Sequence, residues 1–287
     1  MSSAAGTAPS ETRPEVAAVA GIGAEAPAAA TDGWNPPVRR NRIWLWRLAG
    51  LVAVLGGWEI AFRLGMVNKL FFGSPSGIFH FLVNGLFRET YLWTDAGQTL
   101  AATLLAFVIG SALGVIIGLL FVIYPALEEF FEPLTAALNS LPRIALAPLF
   151  LLWFGLGIAF KIGLGASLSL FILLSATLAG ARSTDLDHLV LLRTLGASRM
   201  QTFLKVVLPG AVPTIFSGLR LSLVYALLGV VTAELLASSA GLGQRISYLG
   251  GMFDTSGVFA ILLILAIIGG ALSTAMTLVE KWLLRWR

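Results

Sequence analysis

Three charged side chains sit inside long apolar runs of this sequence: Arg143, Arg220 and Glu234. An ionisable group in such a run costs at least a few kcal/mol, so each is a functional candidate by default. A guanidinium holds carboxylate, sulfonate or nitrate oxygens through a fork of N–H donors. Arg143 follows Pro142 and comes shortly after Asn139 and Ser140, so it sits where a helix must break beside further hydrogen-bonding groups. That makes Arg143, with Asn139, the best candidate for contact with an anionic solute. Arg220 opens its run and is also placed to reach the headgroups by snorkelling. Glu234 lies towards the far end of the same run, where it would serve either the path or as structural partner to an arginine or a backbone amide.

A second constellation lies between runs. Residues 182–212 read RSTDLDHLVLLRTLGASRMQTFLKVVLPGAV, far more chain than a turn requires. Thr184 and Asp187 have capping-box spacing ahead of Leu186, Leu189, Val190 and Leu192, which predicts a short helix over 185–195. Gly196 is a natural helix stop. A second helix is expected from Ser198 to just before Pro209. Helix, glycine turn, helix outside the apolar runs suits either a membrane-surface element or a docking element for another protein.

The elements that position these residues are apolar. The chain has 287 residues, 57% hydrophobic and 12% charged, with mean hydropathy +0.88. Soluble domains carry about 25% charged residues, so this is an all-α multi-pass membrane protein. A spanning helix needs roughly 20 apolar residues. Six candidates occur, at about 45–65, 97–122, 134–155, 160–181, 213–237 and 257–280. The third contains Pro142 and Pro148 and is expected to be broken or partly re-entrant. The Ala- and Pro-rich stretch 1–42 reads as a disordered tail, and 43–287 as the membrane domain.

With both termini in the cytoplasm, the inside segments carry Arg13, Arg39, Arg40, Arg42, Arg47, Arg182, Arg193, Arg199, Lys205, Lys281, Arg285 and Arg287. The outside segments carry only Arg63, Lys69, Arg88, Lys161 and Arg245. The positive-inside rule therefore favours that orientation. The segment 124–133, expected as an inside loop, dissents with Glu128, Glu129 and Glu132. Trp44, Trp46, Trp282 and Trp286 flank the outermost runs as an interfacial belt.

Other chemistries are excluded or unsupported. No cysteine is present, which removes disulfides and thiolate sites. His80 and His188 are isolated, so no metal site is supported. No clustered basic footprint suggests nucleic acid. No phosphate-binding loop occurs, and the glycine-rich GLGASLS at 163–169 lacks its lysine. No nucleophile–base pair appears, so no catalytic residue and no cofactor are assigned.

Several stretches together carry a resemblance: SPS at 74–76, LAPLFLLWFGLG at 146–157, RTLGAS at 193–198, LPGAVPTIFSGLRLSL at 208–223, VVTAEL at 230–235 and SAGLG at 239–243. In this order and spacing, over about 70–285, they resemble the permease subunits of ABC importers, in the nitrate/taurine/sulfonate branch. The resemblance implies the type I permease fold of a bacterial plasma-membrane protein. It also implies a second permease copy (a homodimer), two cytoplasmic ATPase copies and an extracytoplasmic solute-binding protein. The loop then becomes a coupling helix, with Asp187, Leu192, Arg193, Leu195, Gly196 and Ala197 at the ATPase joint. One departure stands out: Val190, Leu191 and Leu192 replace the usual Glu-Ala-Ala. The branch implies a small anion such as a sulfonate, taurine or nitrate, with aromatic carboxylates and neutral pyrimidine precursors open. The alternative is an ion-gradient-driven carrier, which needs coupling carboxylates in the membrane. Glu234 and Glu59 are its only candidates.

Overall fold

A computed structural model describes residues 40–68 and 70–283, and every regular element among them is helical. The chain divides into one unit ending at Gly50 and a second from Leu51 onward. The expected tail falls almost wholly outside the described residues, as does Trp286. In the first unit the described residues belong to the start of α1 (Arg40–Arg63), where Trp44 and Trp46 are exposed.

Five helices are long and apolar enough to span: α1, α3 (Tyr91–Ile123), α6 (Ile158–Arg182), the run from Arg199 through α9 (Leu208–Leu236), and α11 (Thr255–Leu283). The helix pair Pro125–Ser140 and Arg143–Phe154, bent by 91°, has the length and composition of a sixth, either as a broken span or as a re-entrant segment. Its halves are α4 (Pro125–Ser140) and α5 (Ala147–Phe154), joined by a tight turn over Arg143–Leu146. The break falls at Leu141–Pro142, where proline disfavours helical geometry in the residue before it; Leu141 is accordingly extended, with ψ 134°.

The expected third span is therefore broken, and it begins earlier than the sequence suggested. Residues 125–133, expected as a loop, are the first turns of α4. Pro125 occupies the first turn, where its missing N–H costs nothing, and Glu128 lies in the same turn, where an acid suits the helix dipole.

The core of the second unit is α3, α6 and α9. Gly110, Gly114 and Gly118 form a stripe on α3 at every fourth residue. A Cβ added to them would come within 2.7 Å of Ser169 Cβ, 2.8 Å of Leu173 Cβ and 2.7 Å of Thr177 Cβ. Bare backbone lets α6 approach closely, which is how helices pack where lipid removes the hydrophobic driving force. One serine from each helix then meets at the centre. Ser111 lies 3.2 Å from Ser169 and 3.0 Å from Ser222, and Ser169 and Ser222 are 2.5 Å apart. The three hydroxyls satisfy one another where water is absent.

Two short helices were not anticipated. The first, α2 (Pro75–Val83), starts at Ser74, whose Oγ accepts the Gly77 amide at 3.0 Å. The second, α10 (Leu242–Gly251), packs on α9, α11 and α3. Both are shorter than a span and sit next to spans, which hides them from a hydropathy reading.

Candidate functional site

The loop at the end of α6 folds as helix, glycine turn, helix. Its first helix, α7, runs Leu186–Thr194. Its start differs from expectation. Thr184 Oγ1 donates back to the Ala181 carbonyl, and the Asp187 amide is taken by Asp185 Oδ1 at 2.9 Å. Asp185 rather than Thr184 thus closes the helix start, because its carboxylate accepts the amide two residues on while the threonine hydroxyl is spent on the preceding turn. Gly196 has φ +74°, and the Ala197 amide returns to the Leu192 carbonyl at 3.0 Å. That is the six-to-one closure of a helix ending in a left-handed residue.

The second helix, α8 (Arg199–Thr202), opens with a capping box. Gln201 N–H donates to Ser198 Oγ, and the Ser198 amide donates to Gln201 Oε1. It does not stop before Pro209, as expected. It passes through a π turn at Phe203–Val207 into α9, whose first turn holds Pro209. The wider turn removes the need for the amide that proline lacks, so one helical run extends from Arg199 to Leu236. Asp187, Leu195 and Gly196 are exposed, and Leu192 and Ala197 are half-buried. Arg193 lies in the last turn of α7. Arg182, at the end of α6, is ion-paired with Glu128 of α4, so the acidic segment that dissented from the charge pattern holds the root of this loop.

Midway along the bent span, Arg143 donates to Asn139 Oδ1 across the break. Its guanidinium lies 4.3 Å from the centre of the Phe171 ring of α6. Its Nε is buried and has no hydrogen-bond partner among the described residues. Asn139 is exposed. The two residues singled out from the sequence are thus joined, at the sharp bend between α4 and α5. Arg220 is elsewhere: it is ion-paired with Glu280 of α11, and tying α9 to α11 gives it a structural partner.

Glu234 is 1% exposed. Sequence reasoning offered it either to a path or to a structural partner, and here it is buried among partners. Thr99 Oγ1 donates to both carboxylate oxygens at 3.0 and 2.9 Å, Lys161 Nζ donates to Oε1 at 3.0 Å, and the Gly243 amide donates to Oε2 at 2.9 Å. Lys161 Nζ also donates to the Ala240 carbonyl at 2.6 Å. Beside this knot, Asp95 accepts from Arg245 Nε at 2.9 Å and from the Gly241 amide at 3.3 Å, and Arg245 lies 4.5 Å from the Tyr91 ring centre. A Cβ on Gly243 would come within 2.6 Å of Glu234 Cβ. The paired glycines of SAGLG are therefore bare so that backbone amides can reach two carboxylates.

The charge pattern places Lys161 in an outside loop. The helix starts at Ile158 rather than 160, which carries Lys161 into the packed interior, 5% exposed. The available signal was a lysine four residues after Gly157, within one helical turn of an apolar span.

A bundle of long apolar helices with one bent pair and an ordered helical loop defines the class: a polytopic membrane protein. The profile of the family described as "Binding-protein-dependent transport system inner membrane component" matches residues 110–286. The chain belongs to this family. It is 32% identical over 251 residues to the putative aliphatic sulfonates transport permease protein SsuC of Bacillus subtilis, covering 88% of this chain and 91% of the relative. It is 30% identical to the taurine transport system permease protein TauC of Escherichia coli, covering 88% and 96%. It is 31% identical to the formylaminopyrimidine transport permease protein ThiX of Halalkalibacterium halodurans, covering 80% and 91%. Among solved structures, the MetNI methionine ABC transporter in inward-facing conformations matches with TM-score 0.58 at 20% identity, covering 67% of this chain and 95% of that one. An amino acid ABC transporter matches with TM-score 0.59 at 17% identity, covering 70% and 97%. The chain is an ABC-transporter permease component, and ATP hydrolysis resides on a separate subunit.

Proposed function

We propose that this chain forms the membrane path of an ATP-driven importer for a small organic anion. It acts as a homodimer with two ATPase copies on the 182–212 loop and a solute-binding protein on the opposite face, with both termini cytoplasmic. The observation that carries the docking reading is the loop itself. It is closed at Gly196, capped at Ser198 and continuous with α9 through Val207, so a push on it is delivered directly to a span. Asp187, Leu192, Arg193, Leu195, Gly196 and Ala197 are the joint. The orientation rests on the lysine and arginine bias, which also puts this loop inside.

The interior carboxylates support a path without ion coupling. Glu234 is neutralised by Lys161, Asp95 by Arg245 and Glu280 by Arg220. A gradient-driven carrier needs a carboxylate free to take up and release its ion.

Arg143 and Asn139, at the bend, are the groups for the passing anion. Relatives named for sulfonates and taurine support an oxyanion, and the relative named for formylaminopyrimidine keeps a neutral solute as the contrast. Two experiments test the reading. The chain is expressed with its ATPase in mild detergent, and joint elution with ATP hydrolysis is expected; a chain that elutes alone and transports without ATP overturns it. In the reconstituted importer, Arg143→Gln is expected to lower uptake of taurine or an alkanesulfonate about tenfold, the order of 1.4 kcal/mol for a lost charged contact. Unchanged uptake removes Arg143 from the path.

A further inference from the structure

Between the first turns of α3, the start of α6 and residues 238–240 lies an open cavity of about 420 Å³. Its polar lining includes Gln98, Lys161 and Ser239, and its apolar wall includes Trp93, Ala101 and Ile158. It opens at the end of the bundle opposite the 182–212 loop, because α3 and α6 begin there and α9 ends there. We propose that this cavity is an anion-selective entry subsite, taking a small organic oxyanion with its charged head at Lys161 and its carbon tail against Trp93. The proposal deepens the importer reading and rests on it for the direction of travel.

The argument is the placement of charge. Lys161 has three N–H donors, and two are used, on Glu234 Oε1 and the Ala240 carbonyl. The third remains for a ligand. Glu234 lies behind it, with its side chain fully enclosed and both oxygens engaged by Thr99, Lys161 and Gly243. Lys161 thus lines the cavity, and its counter-charge Glu234 does not. Asp95 is likewise turned to Arg245 and Gly241.

The rim adds unused groups. Gln98 and Ser239 are exposed and make no hydrogen bond among the described residues. Thr94 and Ser238, also at the cavity, are already bonded to the carbonyls of Tyr91 and Ala240. The α6 N-terminus at Gly157 has no side-chain cap, so its first amides add positive potential to the same wall. A few convergent polar groups on an otherwise apolar wall, at this volume, match a small-molecule site.

The test uses the absence of cysteine in the chain. A single thiol is introduced as Ser239→Cys, and a reference thiol as Met252→Cys, outside the cavity and exposed. Each protein is treated with a methanethiosulfonate carrying 2-sulfonatoethyl, itself an organic sulfonate, and with one carrying trimethylammonium-ethyl. After division by the reference rates, the anionic reagent is expected to react about tenfold faster at position 239, the lower end of what a charged cleft gives. Excess ethanesulfonate is expected to slow it. Gln98→Glu, which leaves the Lys161–Glu234 pair intact, is expected to abolish the preference. Equal or faster reaction of the cationic reagent, or no protection by ethanesulfonate, overturns the subsite. This labelling needs no ATPase, so it fails independently of the importer reading. ATP-driven uptake without anion preference at 239 removes the subsite alone, whereas preference at 239 without ATP-driven uptake leaves the subsite and removes the importer.

Discussion

Lys161 and Glu234 illustrate how a residue's role depends on what surrounds it. Each alone would be an uncompensated charge in the membrane part of the chain. Together, with Thr99 and the Gly243 amide, they form a buried pair in which both carboxylate oxygens are engaged. Removing one partner of such a pair typically costs about 3–5 kcal/mol, while replacing both by apolar groups of similar shape can be nearly neutral. Glu234→Gln is therefore expected to lower the unfolding midpoint in detergent sharply. Lys161→Met combined with Glu234→Gln should recover part of the loss, and a double mutant no better than the sum of its singles would count against pairing. The sequence displayed Glu234 plainly as an interior charge. Its partner is hidden because α6 begins two residues before the apolar run suggests, and a lysine near a helix start reads as a loop lysine. Arg143 and Asn139 were legible because Pro142 marks the break beside them, and proline chemistry acts on its immediate neighbours.

The helices show the same division between local and distant causes. The spans were readable because apolar length is set by the bilayer, and the Gly196 turn because a left-handed residue ends a helix without help from elsewhere. Gly196→Val is expected to strain the loop by about 1–2 kcal/mol, since L-residues resist positive φ. Loss of ATPase co-purification without loss of the folded permease is the expected result. The helices α2 and α10 were not readable, since contacts with α11 and, for α10, with α9 and α3 decide them. The stripe Gly110–Gly114–Gly118 belongs to this second kind. Gly114→Leu would drive a side chain into Leu173 and the α6 backbone. Overpacking on this scale costs typically 1–3 kcal/mol and more against backbone, so a collapse in the yield of folded protein is expected. Normal yield would mean that α3 and α6 can separate at little cost.

At the scale of the whole subunit, the α3–α6–α9 block is fastened twice, by the three serines at its centre and by the Lys161–Glu234 knot at one end. The bent span is attached more lightly. No residue of α4 is buried within this chain, and its links to the block include the Glu128–Arg182 pair and the contact of Arg143 with Phe171. The proposed pairing of permeases would account for that bareness by leaving one face for the partner copy. Glu128 of α4 was anomalous in the sequence because its partner Arg182 lies 54 positions away, and no local pattern records it.

The π turn at Phe203–Val207 has a further consequence, for the rotational setting of the loop. A π turn is an α-helix holding one residue more than its register allows. Each residue advances a helix by about 100°, so the extra one decides which way α7 and Gly196 face around the axis of α9. Deleting Leu204 should restore ordinary register and swing the loop by about that angle, leaving helical content unchanged by circular dichroism and the ATPase unable to bind. The turn acts as an angular shim: the same loop sequence mounted on a regular helix would present a well-folded joint in the wrong direction.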